Sequence, residues 1–101
     1  MIRIKVKDQD NMKVAILNGR LDTPATPEAE KGLVPVLLCK DKDIVLDCTD
    51  LTYIASSGLR IFLDILKNAK SNGYHAYIKN IPNNIKEAFE LTGFIDLFEY
   101  I

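Results

Sequence analysis

The segment Tyr53-Ile54-Ala55-Ser56-Ser57-Gly58-Leu59 is the most informative stretch of the sequence, because it joins an apolar strand to an amphipathic helix. It places two hydroxyl side chains and a glycine where that helix is predicted to begin. The start of a helix exposes backbone N–H groups and carries a partial positive charge. The segment therefore predicts a place that can hold a phosphate or meet a partner.

The residues on either side of this segment have the patterns of a buried strand and of an amphipathic helix. Residues 44–46, Ile-Val-Leu, are a short apolar run typical of a central strand buried on both faces. From Leu59 to Ala69 apolar residues recur at helical spacing, which leaves Arg60 on the solvent side. Asn72 and Gly73 predict the end of this helix, because both tolerate a left-handed backbone.

The N-terminal region predicts a hairpin followed by an interrupted helix. Apolar and charged residues alternate over residues 2–7, residues 8–11 form a polar turn, and residues 12–17 form a second, antiparallel strand. Thr26 and Pro27 predict a helix start with Thr26 as its cap. Gly32 and Pro35 break that helix into two pieces. The second piece is predicted to turn four apolar residues towards the core: Val34, Val36, Leu37 and Leu38.

The C-terminal region predicts a strand over residues 74–78, a third helix and a last strand over residues 97–100. The third helix begins after a turn at residues 80–84 and ends at Gly93. The residues predicted to lie on or near its inner face are Ile85, Ala88, Phe89, Leu91 and Thr92. The order β-β-α-β-α-β-α-β predicts a single small α/β domain with a mixed sheet flanked by helices.

Composition excludes several classes of function. Lys and Arg number 13 against 14 Asp and Glu, and the resulting net charge of -1 lacks the clustered cations that nucleic-acid binding needs. We predict no membrane insertion, because the longest apolar run covers only residues 33–39. Cys39 and Cys48 fit no zinc pattern and are predicted to be reduced, buried thiols of a cytoplasmic protein. The sequence predicts no metal and no cofactor.

Two predicted loops leave the carboxyl ends of neighbouring strands, where open α/β sheets place their sites. They cover residues 19–22 and 49–58. Four motifs in and around them occur in a characteristic order: Leu-Asn-Gly-Arg-Leu-Asp at 17–22, Ile-Val-Leu-Asp at 44–47, Leu-Thr-Tyr-Ile-Ala-Ser-Ser-Gly-Leu at 51–59, and Leu-Thr-Gly-Phe at 91–94. In these motifs the chain resembles the STAS domain family, and within it the bacterial anti-sigma factor antagonists. The resemblance covers nearly the whole chain, and it implies a single STAS domain over residues 1–101.

The resemblance implies a phosphoswitch and two partners. In such antagonists the first hydroxyl residue of the Ser-Ser/Thr-Gly triplet, here Ser56, is phosphorylated by an anti-sigma factor with a serine-kinase fold. The unphosphorylated form binds that factor and frees the sigma factor, and a phosphatase resets the cycle. Many phosphorylated members have Asp before the modified serine, whereas this chain has Ala55. We expect that difference to weaken recognition by the kinase or to alter the charge at the switch.

The implied partner surface consists of residues at the two loop ends and in the first helical turn. It comprises Asp22, Ala55, Ser56, Ser57, Gly58 and Arg60. Reasoning from the residues leaves alternatives open: Ser56 and Ser57 as helix caps, Asp22 as a solvated turn carboxylate, and Gly58 as a site of close helix packing.

A serine hydrolase needs a base beside its serine, and the only histidine, His75, lies at the start of a predicted strand, so we exclude that class. Three classes of function remain. The first is the non-enzymatic antagonist. The second is an accessory subunit of a transporter ATPase or stress-signalling complex that docks without phosphorylation. The third is a phosphoryl carrier that uses Ser56 or Cys48. The oligomeric state is left open between a monomer and a weak dimer.

Overall fold

The computed structural model describes residues 2–101, which form a five-stranded sheet in the order β1-β2-β3-β4-β5. The strands are β1 (Ile2–Gln9), β2 (Met12–Leu21), β3 (Asp43–Ile54), β4 (Ala76–Lys79) and β5 (Glu99–Tyr100). The helices are α1 (Thr26–Gly32), α2 (Val34–Leu37), α3 (Ser56–Ser71) and α4 (Asn83–Thr92), with short 3-10 turns at Thr23–Ala25 and Ile95–Leu97.

The predicted pairing of the strands is confirmed. β1 and β2 form an antiparallel hairpin, and β2, β3, β4 and β5 follow one another in parallel. The hairpin turn is tighter than predicted, because Asp10 and Asn11 both take positive φ angles of 53° and 62° and complete it alone. Such angles match the right-handed twist of the two strands, and Asp and Asn tolerate them well.

One hydrophobic core lies between the sheet and the helices. Alternate residues of β2, β3 and β4 enter it, among them Leu17, Leu46 and Ile78, and α3 adds Phe62. Phe62 meets Phe89 of α4 edge to face, with ring centroids 6.2 Å apart. Residues 44–46 are all buried as predicted, although Val45 lies outside this core cluster.

The strands β2 and β3 are longer than the sequence predicts. The predicted loops at residues 19–22 and 49–58 consist largely of strand, since β2 runs to Leu21 and β3 to Ile54. The two extensions pair with each other through two irregularities in register, after Ile16 and after Gly19. Leu21, Leu51 and Ile54 are buried there, while the polar residues between them are exposed and resemble a loop in the sequence.

The helices differ from prediction in detail. The break into α1 and α2 is confirmed, but Thr26 is the first residue of α1 and not its cap. Of the apolar residues assigned to the inner face of α2, Val36 is buried, whereas Leu38 is 67% exposed just beyond the helix. Leu91 of α4 is 88% exposed, so its assignment to the inner face is wrong. No helix within residues 2–101 has both the length and the apolar character needed to span a bilayer.

Candidate functional site

Helix α3 begins without a side-chain cap. Ala55 occupies the capping position in an extended conformation, with φ -89° and ψ 168°, and no side chain accepts a hydrogen bond from the first turn. Ser56 and Ser57 are the first two helical residues, so the interpretation of either as the cap is wrong. The backbone N–H groups of the first turn of α3 therefore have no side-chain acceptor for their hydrogen bonds.

The two serines lie in different environments. Ser57 is half-buried, and its Oγ lies 2.8 Å from Oγ1 of Thr26. Because the Thr26 hydroxyl donates its proton to the carbonyl oxygen of Asp22 (3.2 Å), Ser57 is the donor to Thr26. Ser56 is exposed, and within residues 2–101 its hydroxyl has no hydrogen-bond partner. Ser56 thus has the accessible hydroxyl of the turn.

Asp22 has a structural role at the end of β2. One carboxylate oxygen accepts a hydrogen bond from the N–H of Ala25 at 3.0 Å, which caps the 3-10 turn that follows. The other oxygen lies 3.7 Å from Nε of Arg20. The Arg20 guanidinium in turn sits over the ring of Tyr53, 4.5 Å from its centroid. Arg20 and Tyr53 face each other in the β2–β3 register, so strand pairing brings this cluster together.

Gly58 sets how closely α3 approaches the sheet. A Cβ atom at this position would lie 2.7 Å from Cγ of Leu21 and 2.9 Å from Cγ1 of Ile54. Gly58 is itself buried, and the N–H of Ala55 donates to the carbonyl oxygen of Leu21 at 2.8 Å. The geometry therefore fits the close-packing interpretation of Gly58. The glycine holds the first turn of α3 against the ends of β2 and β3.

A groove between α1 and α3 begins at the exposed serine. Its volume is about 320 Å³, and it is lined by Thr26, Glu30, Ser56, Ser57, Arg60, Ile61 and Asp64. Three of the residues predicted for the partner surface, Ser56, Ser57 and Arg60, share this groove. Asp22 adjoins it through the hydrogen bond from Thr26, whereas Ala55 is half-buried and Gly58 lies beneath the turn.

Sequence reasoning missed several residues of this region. Thr26 and Ser57 are 31 positions apart, and no local pattern indicates that their hydroxyls meet. Glu30 reaches the groove because α1 packs against α3, which the sequence does not specify. Arg20 and Tyr53 lie within two of the four motifs. If the two strands carrying these motifs are paired, an arginine and an aromatic ring can face each other and interact, and this is the signal that could have identified them.

Comparisons with known proteins identify the family and the fold. A family model described as the STAS domain matches residues 3–101. The chain belongs to the STAS domain family. An anti-sigma-B factor antagonist of Staphylococcus aureus is similar to this STAS domain, with 31% identity over 96 residues that make up 95% of this chain and 89% of that protein.

Solved structures share the fold of this STAS domain. An anti-sigma factor antagonist from Mycobacterium paratuberculosis superimposes with a TM-score of 0.82 at 22% identity, covering 99% of this chain and 85% of that one. The Bacillus cell fate determinant SpoIIAA in its phosphorylated form superimposes with a TM-score of 0.72 at 15% identity, covering 98% of this chain and 91% of that one.

Cys48 is the remaining candidate nucleophile, and it lies in β3 within the core. Burial, with a smaller effect from the neighbouring charge of Asp47, raises the pKa of the Cys48 thiol to about 12. The reactive form of cysteine is the thiolate, so at neutral pH this group is inert. Its surroundings do not support the phosphoryl-carrier role considered for it.

Labelling of thiols tests this view of Cys48. Iodoacetamide at pH 8 is expected to modify Cys48 at least roughly 100-fold more slowly in the native protein than in urea, since reaction requires the strand to open and the thiol to ionise. Mass spectrometry of peptides from timed samples gives both rates. Equal rates in the native and the unfolded protein would contradict the buried, protonated thiol.

Proposed function

We propose that this STAS domain is a non-enzymatic anti-sigma factor antagonist that is switched by phosphorylation of Ser56. Membership of the family and the names of its relatives support the antagonist function. The observation that carries the assignment of the switch is the contrast between the two serines. Ser57 Oγ is engaged by Thr26 at 2.8 Å, whereas Ser56 is exposed at the mouth of the groove.

The switch transfers a phosphoryl group from the ADP oxygen of ATP to the hydroxyl oxygen of Ser56. The Oγ of Ser56 attacks the γ-phosphorus of ATP in the kinase-fold partner, the bond to the ADP oxygen breaks, and the serine proton passes to a base of the kinase. A phosphatase later hydrolyses the serine phosphate. In this cycle the STAS domain is the substrate of both partners and supplies no catalytic group. We place the cycle in the cytoplasm, where sigma factors act.

A phosphate on Ser56 is compatible with the fold of the STAS domain but not with binding of the anti-sigma factor. A phosphate on the first residue of α3 adds a charge of about -1.5 to -2 at a helix N-terminus, where the helix dipole favours an anion by roughly 0.3–1 kcal/mol. The same charge would lose its hydration if it were buried in the interface with the anti-sigma factor, which weakens binding. Phosphorylation therefore changes the surface while the core under Gly58 stays as it is.

Ala55 leaves the residue before the switch uncharged. It is half-buried, and its N–H is bound to the carbonyl oxygen of Leu21, so a kinase meets little of its side chain. The surface left for recognition consists of Asp22, Ser56, Arg60 and the cluster of Arg20 with Tyr53. Arginine and tyrosine are enriched at the energetic centres of interfaces, which supports including Arg20 and Tyr53 in the partner surface.

A phosphorylation assay tests the proposed function. The protein is incubated with ATP and kinase-fold anti-sigma factors encoded in the same genome, and the phosphate is located by mass spectrometry. We expect a single phosphate on Ser56, its loss in Ser56→Ala, and its retention in Ser57→Ala. Binding without any phosphate transfer would overturn the switch, phosphate on Ser57 would overturn its assignment to Ser56, and the absence of both binding and transfer would instead favour the accessory-subunit function.

A further inference from the structure

Arg60 lies one helical turn after Ser56 and lines the same groove. Residues four apart on an α-helix are neighbours on its surface, about 5–6 Å apart at their Cβ atoms. Side chains of a helix also lean towards its N-terminus, so that of Arg60 extends back over the first turn of α3. The long arginine side chain therefore reaches the space that a phosphate on Ser56 would occupy.

The charges around the groove leave Arg60 available. Among the residues that the structure describes, Arg60 is exposed and forms no ion pair. The other charged groups of the groove are the carboxylates of Glu30 on α1 and Asp64 on the next turn of α3. Arg60 is thus the one cation lining a groove that also holds two anions. Adding a phosphate beside two carboxylates is unfavourable unless a cation offsets it.

We propose that Arg60 binds the phosphate of phosphorylated Ser56 in an intramolecular ion pair. This rests on the proposed function, because it requires that Ser56 carry the phosphate. A guanidinium presents two N–H groups in the geometry that phosphate oxygens accept. Phosphorylation then makes two changes to the partner surface at once: it adds an anion at Ser56, and it withdraws the Arg60 cation from any contact with the anti-sigma factor.

The experiment uses phosphoserine installed at position 56 during translation, so that no kinase is needed. The second pKa of the phosphate, about 6 for free phosphoserine, is read from the pH dependence of its ³¹P chemical shift. A paired cation stabilises the dianion and lowers this pKa. In Arg60→Gln it should rise by roughly 0.2–0.7 pH unit, which is the shift that corresponds to an exposed ion pair.

Two further variants separate a pair with Arg60 from a general effect of positive charge. Lys67→Gln removes a cation of the same helix that lies about 16 Å along the axis from residue 56, beyond the Debye length of about 8 Å, and should leave the phosphate pKa unchanged. Arg60→Lys retains the charge and should restore most of the wild-type value. The difference between wild type and Arg60→Gln should shrink in 1 M salt.

The outcomes are distinct from those of the phosphorylation assay. A higher phosphate pKa in Arg60→Gln alone supports the ion pair. Equal values in wild type and Arg60→Gln, or an equal shift in Lys67→Gln, would overturn it. If no kinase modified Ser56, the proposed function would be contradicted. The titration of the installed phosphoserine would still measure whether Arg60 binds the phosphate.

Discussion

Ser56→Glu is expected to weaken binding to the anti-sigma factor roughly 30- to 1,000-fold, which corresponds to about 2–4 kcal/mol. The glutamate places a negative charge at the exposed first residue of α3, where the partner must otherwise desolvate only a hydroxyl. It has one charge where a phosphate has nearly two, so phosphorylation should weaken binding further. Isothermal titration with the purified anti-sigma factor measures both affinities.

Two control variants separate this effect from unfolding and from charge in general. Ser71→Glu makes the same chemical change at the other, exposed end of α3 and should bind within about twofold of wild type. Ser56→Ala should also bind normally, since its hydroxyl has no partner to lose within the part of the chain that the structure describes. The thermal midpoint of Ser56→Glu should match or exceed that of wild type, because acidic residues stabilise helix N-termini. Full affinity in Ser56→Glu would contradict the switch.

Gly58→Ala is expected to destabilise the fold by roughly 1–3 kcal/mol, the range for overpacking a filled core. In an exposed helix the same change stabilises by up to about 1 kcal/mol, so the sign of the effect tests the packing. The added Cβ would lie 2.7 Å from Cγ of Leu21, a fully buried side chain, so the packing between α3 and the sheet would have to shift. Urea unfolding followed by circular dichroism measures the change in free energy.

A double variant identifies the contact responsible. Leu21→Ala alone leaves a cavity and should cost about 2–5 kcal/mol, but it also removes the atoms that clash with the new methyl group. Leu21→Ala with Gly58→Ala should therefore cost less than the sum of the two single variants. Lys67→Ala, on the exposed face of α3, should change stability by no more than about 0.5 kcal/mol. If the two losses of stability were additive, the cost of Gly58→Ala would not come from its contact with Leu21.

Much of the fold could be predicted because its signals are local. The alternation at residues 2–7, the apolar run at 44–46 and the stripe of α3 each specify an element and its buried face. Helices between the later strands specify parallel pairing, which the structure confirms. Gly32 and Pro35 likewise specify a broken helix, and the chain divides at Leu33.

The differences arise where distant contacts decide the outcome. The extensions of β2 and β3 are rich in polar residues, and they are strands because they pair with each other beyond the end of β4, while β1 also pairs with Asn18 and Gly19. Leu91 is a local error instead: it follows the buried Phe89 by two residues, about 200° further around the helix, and therefore points to solvent. The hydrogen bond that distinguishes Ser57 from Ser56 joins two elements that only the folded chain brings together.

Release of a sigma factor from its anti-sigma factor is the most direct test of the proposed switch at Ser56. A complex of the kinase-fold anti-sigma factor with a fluorescently labelled sigma factor is titrated with the STAS domain, unmodified or with phosphoserine at Ser56, and sigma release is followed by fluorescence anisotropy. The proposed switch predicts that the unmodified protein releases the sigma factor at near-stoichiometric concentration, and that the phosphorylated protein does not release it at the same concentration. Equal release by the two forms, or no release by either, would contradict it.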